Sequence, residues 1–293
     1  MKISINLFLL VILVLQISVN LIMELLFGNV SEFFKIYISQ IIPLFIPSVL
    51  YCLHKKEEGF SCIKRQGRVT LVGVIFVILL SVCINIGINT FNQVIYSPIL
   101  SVFVKNTTNS LLPQTNFDII LNILFICITP AIFEEILFRG IVLTEYEKIY
   151  GTKRAIFMCG VVFALLHGEV TALIPQFIVG VFISFIVVRL DSIYYGIFAH
   201  LVHNISTLVL HLLWNAFPSG LVFMTKYWII TFIGIVIVIY VIFALLNKIF
   251  KQKSLIKEDK DKMLLYKENK YFKIMLALFV VLAIIRIILS FII

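Results

Sequence analysis

Few ionisable side chains interrupt the long apolar runs of this 293-residue chain, and the informative ones fall in three short stretches. The first reads Thr129-Pro130-Ala131-Ile132-Phe133-Glu134-Glu135-Ile136-Leu137-Phe138-Arg139-Gly140. Adjacent carboxylates repel, so they share a proton or need a counter-charge. Arg139 supplies one. It follows Glu135 by four residues, which places both on one helix face with the acid N-terminal to the base, the favourable order. Glu134 points about 100° away around the helix and has no partner within the stretch. Glu135 is therefore expected to be a structural ion-pair member and Glu134 a free base. Pro130 leaves a backbone carbonyl without its donor one turn earlier, which opens the helix locally and suits a wet cavity.

The second stretch, Phe163-Ala164-Leu165-Leu166-His167, sets Phe163 and His167 one turn apart on a shared face. The third, His200-Leu201-Val202-His203-Asn204, aligns His200 with Asn204, and both can donate hydrogen bonds. His203 lies near that face and is expected to pack against or support it. Peptide hydrolysis needs a base for water, a proton donor for the leaving amine and donors for a tetrahedral oxyanion. These residue types provide all three. No Gly-x-Ser-x-Gly elbow and no His-Glu-x-x-His zinc motif occurs, and the five cysteines lack metal-type spacing.

Membrane helices must position these groups. The chain is 61% hydrophobic and 13% charged with a mean hydropathy of +1.11, whereas a soluble domain is about a quarter charged. Apolar runs at 4–27, 34–53, 69–91, 117–142, 155–173, 175–189, 192–214, 222–247 and 272–292 approach the ~20 helical residues that a bilayer core requires. They are continuously apolar and do not alternate, so the fold class is all-α, a polytopic transmembrane helix bundle of about eight or nine spans. The first run is too long for a signal peptide and lacks a small-x-small cleavage site. An ionised carboxylate in mid-membrane costs about 2.5–3.5 kcal/mol, so the buried glutamates are expected to line a cavity and do work. With the N-terminus inside, 19 of the 24 Lys and Arg fall on the cytosolic side, and Lys35, Lys105 and Lys226 outside. A multi-pass cell-membrane protein with a cytosolic N-terminus is expected. Topology and attraction to anionic lipid at the cytosolic face account for the net charge of +9, and no nucleic-acid partner is expected.

Glu-Glu-x-x-x-Arg-Gly (Glu134 to Gly140), Phe-x-x-x-His (Phe163 to His167) and His-x-x-x-Asn (His200 to Asn204) follow in order on successive helices. The arrangement resembles the CPBP family, which joins type II CAAX prenyl endopeptidases to bacteriocin-processing and immunity proteins. The likeness covers about 117–215, leaving 1–116 and 216–293 as flanking helices, the first with a basic cytosolic loop and an external loop, the second with a Lys-rich cytosolic linker. It implies an intramembrane endopeptidase acting on a membrane-associated or lipidated peptide or protein. Glu134 and His167 would activate water, Glu135 and Arg139 with Phe163 would order the site, and His200 and Asn204 would bind the oxyanion. No tightly bound cofactor is expected; a zinc ion, if used, would take Glu134, His167 and His200. Two other classes stand beside this one: a catalytically silent binding or bacteriocin-immunity protein, and a proton-coupled transporter. Transporters commonly show internal repeats, and none is evident here. Richness in Ile, Lys, Phe and Asn points to an AT-rich bacterial genome.

Overall fold

The computed structural model describes residues 4–54, 65, 67–102, 113, 115–249 and 262–292. Most of the basic loop (55–64), the middle of the connection before 116 (103–112) and the Lys-rich linker (250–261) lie outside the described residues. The regular elements are helices: α1 Ile5–Phe27, α2 Glu32–His54, α3 Leu71–Leu100, α4 Asn116–His167, α5 Val170–Leu190, α6 Ile193–Ala216, α7 Pro218–Lys226, α8 Trp228–Ile249 and α9 Lys262–Ile292. Among the described residues seven of them, α1 to α6 and α8, are long and apolar enough to cross a membrane. The chain is a multi-pass membrane protein.

At 52 residues, α4 is far longer than one crossing needs. Gly151 breaks it with φ 72° and ψ 161°, a conformation that a residue with a Cβ rarely adopts. The two arms then pack together: the Phe138 and Phe163 rings meet edge to face at 4.9 Å, and Cys159 Sγ donates to the Phe138 carbonyl at 3.5 Å. Three wide turns, at Ile41–Phe45, Asn92–Tyr96 and Ile123–Ile128, each end two residues before a proline, Pro47, Pro98 and Pro130. Proline removes a backbone donor and pushes on the preceding turn, so the helix widens there. A fourth wide turn, Ile136–Val142, carries Arg139.

Two span boundaries differ from those the apolar runs suggest. The runs place a break at Pro175, but α4 ends at His167, Gly168 takes the left-handed conformation at φ 68°, and after a 3-10 turn at Val170–Ala172 the α-helical part of α5 begins at Leu173. Pro175 is tolerated because it sits in the first turn, where its missing N–H has no helical partner to lose. The run expected at 222–247 is two helices, α7 and α8, parted at Tyr227.

The core gathers around α4 and draws on both flanks. Leu9 and Ile12 of α1, Val77 and Leu80 of α3, Ile183 and Val187 of α5, and Met275 of α9 are buried in one cluster with Leu137, Val142 and Phe163. Asn6 of α1 accepts from the Tyr146 hydroxyl of α4. Where α4 crosses α5, Gly160 and Gly180 bring the backbones into contact. A Cβ on Gly180 would stand 2.9 Å from the Gly160 Cα. Small residues at such crossings are the usual route to close helix packing in lipid.

Candidate active site

Glu134 and Glu135 leave α4 in different directions and enter opposite environments. Glu135 is fully buried. Its Oε1 accepts from Arg139 Nη1 at 2.5 Å and lies 2.9 Å from His200 Nδ1. Arg139 also donates from Nη2 to the Gly180 carbonyl at 2.9 Å, and its guanidinium stacks 4.8 Å from the centroid of the Phe163 ring. Four elements therefore meet on one carboxylate and one guanidinium: both arms of α4, α5 and α6. Such a pair needs hydrogen bonds beyond its own in an apolar interior; the Gly180 carbonyl and His200 supply two, while Glu135 Oε2 and Arg139 Nε have no hydrogen-bond partner among the described residues.

Glu134 is 8% exposed and faces a cavity of about 360 Å³ between α1, α2 and α4. Its Oε2 has no hydrogen-bond partner among the described residues. His167 lies across from it, with Nε2 3.9 Å from that oxygen. The other ring nitrogen, Nδ1, is 2.7 Å from the Phe163 carbonyl. A carbonyl only accepts, so Nδ1 carries the hydrogen and neutral His167 presents the lone pair of Nε2 to the cavity.

The residues of the third stretch are not gathered around this cavity. Neither His200 nor Asn204 lines it. His200 directs Nδ1 at a carboxylate, so the neutral ring has no hydrogen on Nε2 to offer an oxyanion. Asn204 donates from Nδ2 to the carbonyls of Ile126 at 3.3 Å and Cys127 at 3.5 Å. Ile126 is the residue whose carbonyl the missing Pro130 N–H would have reached. The Asn204 amide thus serves the opened helix before Glu134. His203 turns to α3, where Asn85 Nδ2 contacts its Nδ1 at 3.3 Å and its carbonyl at 3.2 Å.

Several residues that build the site carry no signal in the motifs. Gly196 faces Glu135: a Cβ there would lie 3.0 Å from Oε2 and closer still to Val187. Its spacing of four from His200 is the available clue. Lys35 is buried against the cavity, where Gln16, Asn20 and Gln40 also line the wall.

The family model for type II CAAX prenyl endopeptidase Rce1-like proteins matches residues 116–206. Over residues 116–206 the chain is similar to this family. The Rce1-like segment contains every residue of the three motifs, in agreement with the CPBP resemblance, while Gln16, Lys35 and Gln40 lie outside it. No curated protein and no solved structure matches the chain. Within the Rce1-like segment, the donor set proposed for zinc is divided: the Phe163 ring stands 4.6 Å from His167 and 6.0 Å from His200, and His200 is bonded to Glu135. Among the described residues no three His, Cys, Asp or Glu side chains converge on a metal-sized site. These residues do not fit a zinc centre in this arrangement.

Proposed function

We propose that the chain is an intramembrane endopeptidase of the CAAX-protease type, hydrolysing a peptide bond of a membrane-associated substrate with water held between Glu134 and His167. The observation that carries this reading is the pair of acceptors facing each other across the cavity, 3.9 Å apart. That is too long for a hydrogen bond. A water at ~2.8 Å from both would be held at an angle of roughly 90°, close to what its two hydrogens require.

In this reading Glu134 removes one proton as the water oxygen attacks the carbonyl carbon. His167 Nε2 accepts the second hydrogen and aims the oxygen lone pair. The new C–O bond gives a tetrahedral intermediate, which collapses as the C–N bond breaks and Glu134 returns its proton to the leaving amine. Glu135, Arg139 and His200 work through position. They fix the turn of α4 that carries Glu134, so that its carboxylate cannot rotate toward the arginine. Asn204 holds the opened turn around Pro130 from the other side. We further assign the N-terminus to the cytosol of a bacterial cell membrane. A reporter fused after residue 60 or 260 should be cytosolic, and one after residue 108 external; the reverse at 260 overturns this orientation.

The test is cleavage of membrane-anchored peptides by purified protein in liposomes. Wild-type protein should release fragments, and Glu134→Gln should be slower by roughly 10²–10⁴-fold, the usual worth of a general base. Glu134→Gln protein that cuts at the wild-type rate would refute the assignment.

A further inference from the structure

We infer that α1 and α2 select the substrate, and that the segment they accept is an extended peptide carrying lysine or arginine beside the scissile bond. This deepens the hydrolytic reading and rests on it. At about 360 Å³ the cavity falls in the size range of ligand sites, and one wall of it comes from helices outside the Rce1-like segment.

What the wall lacks defines its ligand. Besides the Glu134 oxygen assigned to water, two residues lining the cavity hold buried atoms without a partner among the described residues: Gln16 Oε1 and Gln40 Oε1. Both are acceptors. A buried acceptor without a donor is costly, so the fitting ligand brings N–H groups. Asn20, by contrast, already accepts from the Ser39 hydroxyl at 2.6 Å.

Charge at the mouth favours the same ligand. Lys35 Nζ is bonded to Glu32 at 2.6 Å and to Glu24 at 3.3 Å, so two carboxyl groups share one ammonium. The Lys35 side chain is only 10% exposed, while those of Glu24 and Glu32 are 74% and 50% exposed. An incoming segment therefore meets the carboxylates first. With two carboxylates on one ammonium the surplus charge is negative, which disfavours an acidic residue or a free C-terminus. Lysine and arginine side chains are donors only, and they match both the unpaired oxygens and the surplus carboxylate.

The experiment uses the full chain in nanodiscs of zwitterionic lipid, so that lipid charge does not attract the probe. Three fluorescent peptides share an apolar anchor and differ in a short extended tract of lysines, glutamines or glutamates. The lysine peptide should bind roughly tenfold tighter than the glutamine peptide, with the glutamate peptide weakest. The double variant Gln16→Leu, Gln40→Leu should erase most of that preference. If that variant fails to fold, the exposed pair Glu24→Gln, Glu32→Gln carries the same test. Equal binding of the three peptides, or preference for glutamate, overturns the inference. Cleavage of the same peptides keeps the two readings apart. Selective binding without cleavage supports the selection and contradicts hydrolysis, whereas equal binding with equal cleavage does the reverse.

Discussion

Glu134 and Glu135 are the same side chain on consecutive residues, yet one borders a polar cavity and the other lies in a dry core. Glu135 is bonded to Arg139 and His200, and Gly196 faces its Oε2. Both carboxylates keep Oε2 unbonded among the described residues, but that of Glu134 faces His167 at 3.9 Å beside the cavity. The difference arises from the ~100° step between neighbours on a helix, which turns one residue toward α5 and α6 and the other toward α1 and α2. Reactivity belongs with the group that borders the cavity, and rigidity with the group held by Arg139 and His200.

This contrast can be attacked most strongly on the dry side. Glu135→Gln strands the Arg139 charge in the membrane interior and should cost about 3–5 kcal/mol of stability. Arg139→Met should cost a similar amount, and the double variant less than either single one, because the uncompensated charge is gone. Chemical unfolding of the three proteins in one detergent measures the cycle; additive losses would mean that the two residues are not a coupled pair.

A smaller effect is expected where the dry side touches backbone. Gly196→Ala drives a methyl group against Val187 and toward Glu135 Oε2, and should cost about 1–3 kcal/mol by overpacking. Thermal melts read this directly, and an unchanged melt would show that α6 yields there. Asn204→Ala withdraws the donor to Ile126 and Cys127 and should cost about 1–2 kcal/mol. Its cleavage rate per folded molecule should fall by less than roughly tenfold; a loss nearer 10²–10³ would restore Asn204 to the oxyanion. The smallest expected effect is that of chelation. Because Glu134, His167 and His200 do not converge, treatment with a chelator should leave cleavage unchanged. Activity lost and then restored by zinc would make His200 a ligand.

Much of the contrast is legible in the amino-acid sequence. The four-residue interval from Glu135 to Arg139 pairs them on any helix, and helical periodicity separates Glu134 from both. The cost of charge in lipid marks these residues against a chain that is 61% hydrophobic. The long apolar runs likewise give the membrane helices, because length and continuity leave little alternative.

What stays hidden depends on neighbours distant in sequence. Gly180 and Gly196 matter for the side chains they leave room for, and a glycine carries no chemistry of its own to reveal that. Gln16, Lys35 and Gln40 border the site because α1 and α2 fold against α4, and no helical spacing within a segment reports such a contact. Asn204 has the side chain of an oxyanion donor; its use at Ile126 follows from the donor that Pro130 lacks on another helix. The break at Gly168 is masked by Pro175, because proline is the stronger punctuator in general, though not in a first turn.

The division of labour between the two glutamates is tested most directly by thermal unfolding of Glu134→Gln and Glu135→Gln side by side with the wild type in the same lipid. Glu134→Gln should melt at or above the wild-type temperature, since it removes a charge that no Lys or Arg ion pair holds among the described residues. Glu135→Gln should melt far lower, by the several kcal/mol of a broken buried pair. Equal shifts in the two proteins would contradict the account.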